Sequence, residues 1–243
     1  MIAFSVLQAT LGLVAQNRIA AEEEKRPVFA SAQAPLGLEE TYATIGTVTG
    51  QRAIARTEPD RTADAIASFL PVSPQGSPQV FLVTDEIAEG DEAQWYEVLL
   101  PVQPNGTTGY IRARDLEVST SPYRLEVDTA KFVLTLWNGA EPMATYAVGI
   151  GTGETPTPRG YFYLTSLLKP PSDNSIYGKF AYGLSAYAEA ADDWYGNGVI
   201  GLHGTNDPTS VGRPASHGCI RMRNEDITEL ARLLPLGTPI LIR

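Results

Sequence analysis

The chain has 243 residues, 43% of them hydrophobic and 19% charged, which is enough apolar material for more than one domain core and excludes wholesale disorder. Its formal net charge is −10, and no cluster of Lys and Arg appears that could release counterions from a phosphate backbone, so nucleic acid is not an expected partner. The acidity belongs to the first half: residues 1–120 hold 8 basic and 16 acidic residues, whereas residues 121–243 hold 10 and 12.

In chain order, residues 1–40 begin with an apolar stretch from Met1 to Ala15, shorter than the ~20 residues of a membrane-spanning helix. It has the length of a signal-peptide apolar region, and Ala30-Ser31-Ala32 has small residues where a cleavage site would want them, although a charged run, Glu22 to Arg26, intervenes. This segment reads as signal- or anchor-like, with a helix packed on the body as the other reading. Pro27 to Glu40, rich in Ala, Pro and Gly, reads as a linker.

Residues 41–120 show short apolar runs broken by turn signals: Ala43 to Val48, Val80 to Val83, Trp95 to Leu100 and Thr108 to Ile111. Such spacing predicts a small β-barrel, with Pro71 to Pro78 and Asp85 to Glu92 as surface loops. The aromatic strand from Trp95, the Asn105-Gly106 turn and Gly109-Tyr110-Ile111 resemble the terminal hairpin of bacterial SH3-like domains. This region is expected to assist positioning, since it holds neither a thiol nor an imidazole.

Residues 121–243 open with a predicted hairpin, Tyr123, Leu125 and Val127 on one strand and Phe132, Leu134 and Leu136 on the next, around a turn at Asp128 to Ala130. Met143 to Val148 and Tyr161 to Thr165 continue the sheet. One segment has helical period: Ile227, Leu230, Ala231 and Leu234 follow a candidate N-cap at Asn224, with Glu225 and Asp226 where the helix dipole favours anions. Pro235 and Gly237 end it, and Thr238 to Ile242 forms a last strand. The fold class is therefore mainly β, with one helix near the C-terminus. Leu167 to Tyr195, with several aromatics, reads as a capping insertion that forms either a lid or a local core.

Chemistry concentrates in one place. The single cysteine, Cys219, and both histidines, His203 and His217, fall within 17 consecutive residues. A thiol nucleophile needs a base to take its proton and donors to hold the charge that develops on the attacked carbonyl. Gly218 would let the chain turn tightly so that N–H groups converge there. The rival is zinc bound by His203, His217 and Cys219, with Asp207 a fourth ligand, although the two-residue spacing of His217 and Cys219 is unlike structural zinc sites. From spacing alone both remain open, with the thiol favoured.

The run from His203-Gly204-Thr205 to Ser216-His217-Gly218-Cys219-Ile220-Arg221-Met222 resembles the signature of the L,D-transpeptidase (YkuD-type) family, and the likeness extends over residues 121–243. The resemblance implies that Cys219 is the nucleophile, that His203 is the general base oriented by Gly204 or Thr205, and that His217 supports them. It further implies backbone or oxyanion roles for Gly218 and Gly204, and substrate contacts from Arg221, Ser216 and Thr205, an ion pair with Asp226 or another acid being the other reading of Arg221. No cofactor or metal is implied. The expected protein is an exported cell-wall enzyme that forms 3→3 cross-links between peptidoglycan stem peptides and is acylated by carbapenem-type β-lactams. The alternatives are an L,D-carboxypeptidase or endopeptidase of the same fold, and a non-catalytic wall-binding protein.

Overall fold

A computed structural model describes residues 42–89, 92–172, 174–188 and 198–243. The signal- or anchor-like segment and its linker lie outside the described residues, as does the part of the predicted insertion from 189 to 195.

The first sheet is antiparallel and has seven strands: β1 (Ala43–Val48), β2 (Ala53–Arg56), β3 (Ala65–Phe69), β4 (Val80–Glu89), β5 (Glu92–Leu99), β6 (Thr108–Arg112) and β7 (Leu116–Ser121), in the order β3-β2-β6-β5-β4-β1-β7. Its alternating residues Val48, Ala53, Ala55, Phe81, Val83, Val98 and Ile111 meet in one core. The predicted loop at Asp85 to Glu92 is instead largely ladder: Asp85 pairs with Glu97, Glu86 with Tyr96 and Ile87 with Trp95. Asp85 to Ala88 are all exposed, so the apolar alternation that marks a half-buried strand is missing there.

The second sheet has eight strands: β8 (Tyr123–Asp128), β9 (Val133–Asn138), β10 (Glu141–Ala147), and, after the short β11 (Ile150–Gly151), β12 (Gly160–Leu168), β13 (Ala181–Tyr187) and β14 (Val199–His203); beyond β15 (Pro214–Ser216) come β16 (Ile220–Arg221), helix α1 (Asn224–Leu233) and β17 (Pro239–Ile242). The order is β10-β9-β8-β17-β12-β13-β14-β16, while β11 pairs with β15 separately. Both β17 beside β8 and β16 beside β14 run parallel. Phe132 belongs to the turn between β8 and β9, at φ 56°, rather than to the strand. Helix α1 buries Ile227 and Leu230 in the sheet's core, and the Tyr182 hydroxyl donates to the carbonyls of Leu230 and Leu234 at its end.

Two expectations need correction here. Asn224 is the first residue of α1 and its side chain does not cap the helix; Arg223 precedes it in extended conformation without a side-chain cap bond. The predicted insertion is not one unit either: Ala181–Tyr187 is an interior strand with Tyr182, Leu184 and Ala186 buried, and among the described residues before it 169–172 and 174–180 are loop, from which Tyr177 reaches His203. Its unbroken run of small and aromatic residues is what a strand buried on both faces shows, and it cannot be told from a local core by period.

The sheets share a third core, in which Ala43, Ile45, Val80, Leu82 and Leu99 of the first surround Tyr163 of the second. Asn105 adds a clasp: its side-chain amide donates to the Tyr187 carbonyl and accepts from the Tyr187 N–H, both at 2.8 Å, and the Tyr187 hydroxyl donates to the Pro101 carbonyl.

Candidate active site

β14 and β16 place the chemistry by simple alternation. Ile200, Leu202, Ile220 and Met222 fill the core, so Gly201 and His203 on β14 share the opposite face with Arg221 on β16 and with Cys219, the residue that leads into it. The parallel register sets Leu202 beside Ile220 and His203 beside Arg221. Cys219 and His203 both line a cavity of about 760 Å3.

His203 is 3% exposed. Its Nδ1 lies 2.5 Å from the Gly204 carbonyl, which can only accept, so Nδ1 holds the proton and Nε2 is left as the proton acceptor. Tyr177 packs edge-on against the ring at 5.1 Å between centroids. Ring and thiol both face Gly201: a Cβ there would stand 3.4 Å from His203 Cδ2 and 3.7 Å from Cys219 Sγ. The Gly201 N–H donates to that sulfur at 3.3 Å.

Burial governs the titration of both groups. It lowers His203 from its ordinary 6.5 to about 4; the Gly204 hydrogen bond opposes this and the Arg221 charge adds to it. It raises the Cys219 thiol, against the Gly201 N–H and the Arg221 charge, both of which lower it. Both shifts act in the same sense, favouring the uncharged form of each group over its ion.

The turn before the thiol is held from several sides. Ser216, 2% exposed, donates from Oγ to the Cys219 carbonyl at 2.5 Å and accepts from the Gly218 N–H at 3.2 Å. Gly218 adopts φ 115°, which disfavours any other residue, and its carbonyl accepts from Thr157 Oγ1, which also accepts from the Gly151 N–H. Arg221 exchanges two backbone hydrogen bonds with Gly149, both at 2.8 Å. Its Nε is buried with no hydrogen-bond partner, and among the described residues it makes no ion pair within 4 Å, so the alternative pairing with Asp226 does not form.

Several expected roles are thereby reassigned. The Gly204 N–H is taken by the Phe180 carbonyl, so Gly204 contributes the acceptor for His203 rather than an oxyanion donor. Thr205, 3% exposed, bonds through Oγ1 to the backbone of Asp207 and does not reach the cavity lining. The hydroxyl of Ser216 is likewise spent inside the turn. His217 is exposed and is not among the described residues lining the cavity. The described residues hold no metal-ligating cluster of three or more His, Cys, Asp or Glu.

Three contributors were not legible as such. Gly201 acts through its backbone, which no side-chain motif displays. Asn224 Oδ1 accepts from the N–H groups of Lys179 and Thr205, and its Nδ2 donates to the Thr205 carbonyl, tying α1 to the segment after His203 and to the 169–180 loop. Gly204 has no room for a side chain at this junction, since a Cβ would stand 2.2 Å from Asn224 Oδ1. The third is Thr157, visible in sequence only as part of Thr155 to Pro158.

Comparison with known proteins decides the family. The family model for the L,D-transpeptidase catalytic domain matches residues 122–242, and the putative L,D-transpeptidase YkuD of Bacillus subtilis (strain 168) is 38% identical over 124 residues, which is 51% of this chain and 67% of that protein. The chain belongs to the L,D-transpeptidase family. Among solved structures it is similar to Bd1075 of Bdellovibrio bacteriovorus, at 28% identity and TM-score 0.40 over 51% of this chain, spanning about half (48%) of that one. It is also similar to the L,D-transpeptidase LdtMt1 in complex with imipenem, at 15% identity and TM-score 0.42, covering 68% of this chain and 90% of that one. The L,D-transpeptidase match begins where the second sheet begins.

Proposed function

We propose that this L,D-transpeptidase family member forms 3→3 cross-links between peptidoglycan stem peptides through a thioester on Cys219. The observation that supports this most is the placing of His203, at the end of β14, and Cys219, at the entry to the adjacent β16, in one cavity, with the imidazole tautomer set by Gly204. As Cys219 Sγ attacks the carbonyl carbon of the L-centred diamino acid, His203 Nε2 takes the thiol proton. The Cys219 N–H serves the developing oxyanion, since the Gly218 N–H is held by Ser216. The C–N bond then breaks, the imidazolium returns its proton to the leaving D-amino acid, and the thioester remains. The amine of a second stem attacks it, giving its proton to His203, which passes it to the departing sulfur. His217 and Arg221 act on this step through polarity and charge.

On the same reading residues 41–120 are an SH3-like domain, residues 121–243 the catalytic domain, and residues 1–40 direct the protein out of the cytoplasm to the cell wall. A carbapenem-type β-lactam, whose carbonyl is strained, meets the same thiol and is expected to acylate it. The test is intact-mass spectrometry with a purified disaccharide-tetrapeptide. Wild type should gain a thioester mass and then release an amide-linked dimer, and Cys219→Ala should do neither. A hydrolysed product alone would favour the carboxypeptidase alternative, and binding that survives in Cys219→Ala with no adduct in wild type would favour a wall-binding protein.

A further inference from the structure

The cavity at Cys219 extends well beyond the strands that hold the thiol and the imidazole. One of its sides is built by Phe69, Leu70, Val72, Pro74 and Gln75, at the end of β3 and in the connection to β4 of the first sheet. Leu70 and Val72 are 57% and 56% exposed, and across the cavity Leu168 and Tyr177 are also exposed, at 44% and 38%. Single exposed apolar residues are ordinary on any surface. Here four of the ten large apolar side chains exposed among the described residues border one cavity, which is the pattern of a binding site. None of the described lining residues is Asp, Glu, Lys or Arg, in a chain that is 19% charged.

The wall is also held in place. Val72 is bridged to Pro78, the Gln79 N–H donates to the Pro71 carbonyl at 2.9 Å and the Ser73 N–H to the Ser77 carbonyl at 2.8 Å, while the Asn105 amide pairs with both backbone groups of Tyr187, another lining residue at the end of β13. Such a wall does not need to be ordered by the ligand, so contacts with it add to affinity directly.

We propose that the β3–β4 connection, through Leu70 and Val72, is a specificity-determining wall of the substrate groove that receives an uncharged, extended portion of the peptide acyl donor away from the reacting carbonyl. The occupant follows from continuity: the wall and Cys219 line the same cavity, so a donor whose carbonyl reaches the thiol has its remaining length beside these residues. The proposal rests on the acyl-transfer reading of Cys219.

The test compares wild type with Leu70→Ser/Val72→Ser on two donors, a disaccharide-tetrapeptide and a minimal N-acetylated diamino acid joined to one D-amino acid. Both positions are exposed, and circular dichroism checks that the variant folds. With the long donor KM should rise about tenfold or more while kcat stays within about twofold, the signature of lost binding common to ground and transition state. The rise should be confined to the long donor, and alkylation of Cys219 by iodoacetamide should proceed at the wild-type rate. An unchanged KM for the long donor, or an equal rise for both donors, overturns the proposal while leaving the chemistry at Cys219 standing. A change in oligomeric state in place of a change in KM would assign the surface to a second copy and overturns it too. If wild type forms no thioester with either donor, the acyl-transfer reading fails and the wall fails with it.

Discussion

Acid should weaken this fold through one buried ring. His203 is 3% exposed, and burial lowers its pKa from 6.5 to about 4. Between those values the unfolded chain binds a proton on this ring that the folded chain refuses, so the unfolded state binds more protons and stability rises with pH. The contribution is therefore fully present above pH 6.5, declines as the pH falls below it, and changes no further below about 4. At about 1.36 kcal/mol per pH unit the whole span amounts to about 3 kcal/mol, of which roughly 2 kcal/mol is lost by pH 5. Against the 5 to 15 kcal/mol of a typical domain, roughly, this is a large share.

The assay is urea unfolding near pH 7.5 and near pH 5, on wild type and on His203→Gln, whose amide can still donate to the Gly204 carbonyl. The surface carboxyls of Asp60, Asp128 and Asp207, held below their ordinary range by hydrogen bonds to neighbouring residues, respond to acid in both proteins and cancel in the comparison. Wild type should lose about 2 kcal/mol more than the variant between the two conditions. Equal losses would refute the account of a buried neutral imidazole.

Two further outcomes follow from the same geometry. Removing the proton acceptor in His203→Gln should slow acylation by on the order of 100-fold or more, whereas His217→Gln, at an exposed position outside the cavity lining, should cost less; a reversed order in stopped acylation assays would transfer the base role to His217. Asn224→Ala leaves the N–H groups of Lys179 and Thr205 and the Thr205 carbonyl without their partner, so it should destabilise the fold by about 1 to 3 kcal/mol in urea and loosen the 169–180 loop to proteolysis; unchanged stability would show that water replaces the amide at no cost.

How much of this was legible in the sequence depends on where the signal lies. The opening hairpin of the second sheet could be anticipated because Leu125, Val127, Leu134 and Leu136 alternate into one core, which is the half-buried pattern that a period of two reveals, whereas the order of the sheet, with β17 parallel to β8 and β16 parallel to β14, left no local signal. Ile200-Gly201-Leu202-His203 and Cys219-Ile220-Arg221-Met222 alternate in the same way, but nothing in the sequence says that these two short segments lie side by side in parallel; the motif brought thiol and imidazole together on paper, and the β14–β16 pairing does so in space. Hydrogen bonds between distant segments left no such trace. Asn224 has the identity and position of a helix cap, and only the arrival of Thr205 and Lys179 in space shows that its amide is used elsewhere. Asn105-Gly106 reads correctly as a turn, yet the clasp on Tyr187 lies 82 residues away. The cavity wall from Phe69 to Gln75 was invisible for the same reason: a short exposed edge strand and a Pro- and Ser-containing loop look alike whether they face water or a substrate.

Arg221 gives the sharpest test of how the two reacting groups are tuned, because one charge acts on both. The cation favours the thiolate, lowering the Cys219 pKa against the desolvation that raises it, and it disfavours the imidazolium, helping to hold His203 near 4. In Arg221→Met the backbone pairing with Gly149 is retained and the unpartnered Nε is removed, so the fold loses little. The thiol pKa should then rise further, leaving less thiolate at neutral pH and slowing alkylation by iodoacetamide. The imidazole pKa should rise as well, so the acid limb of the acylation profile should begin at a higher pH than in wild type. Arg221→Lys, which keeps the charge, should restore both profiles. A purely architectural arginine would change the rate at every pH equally and shift neither limb. That result would show that the pair is set by burial and by the Gly201 and Gly204 backbone alone, with the charge of Arg221 irrelevant to the chemistry.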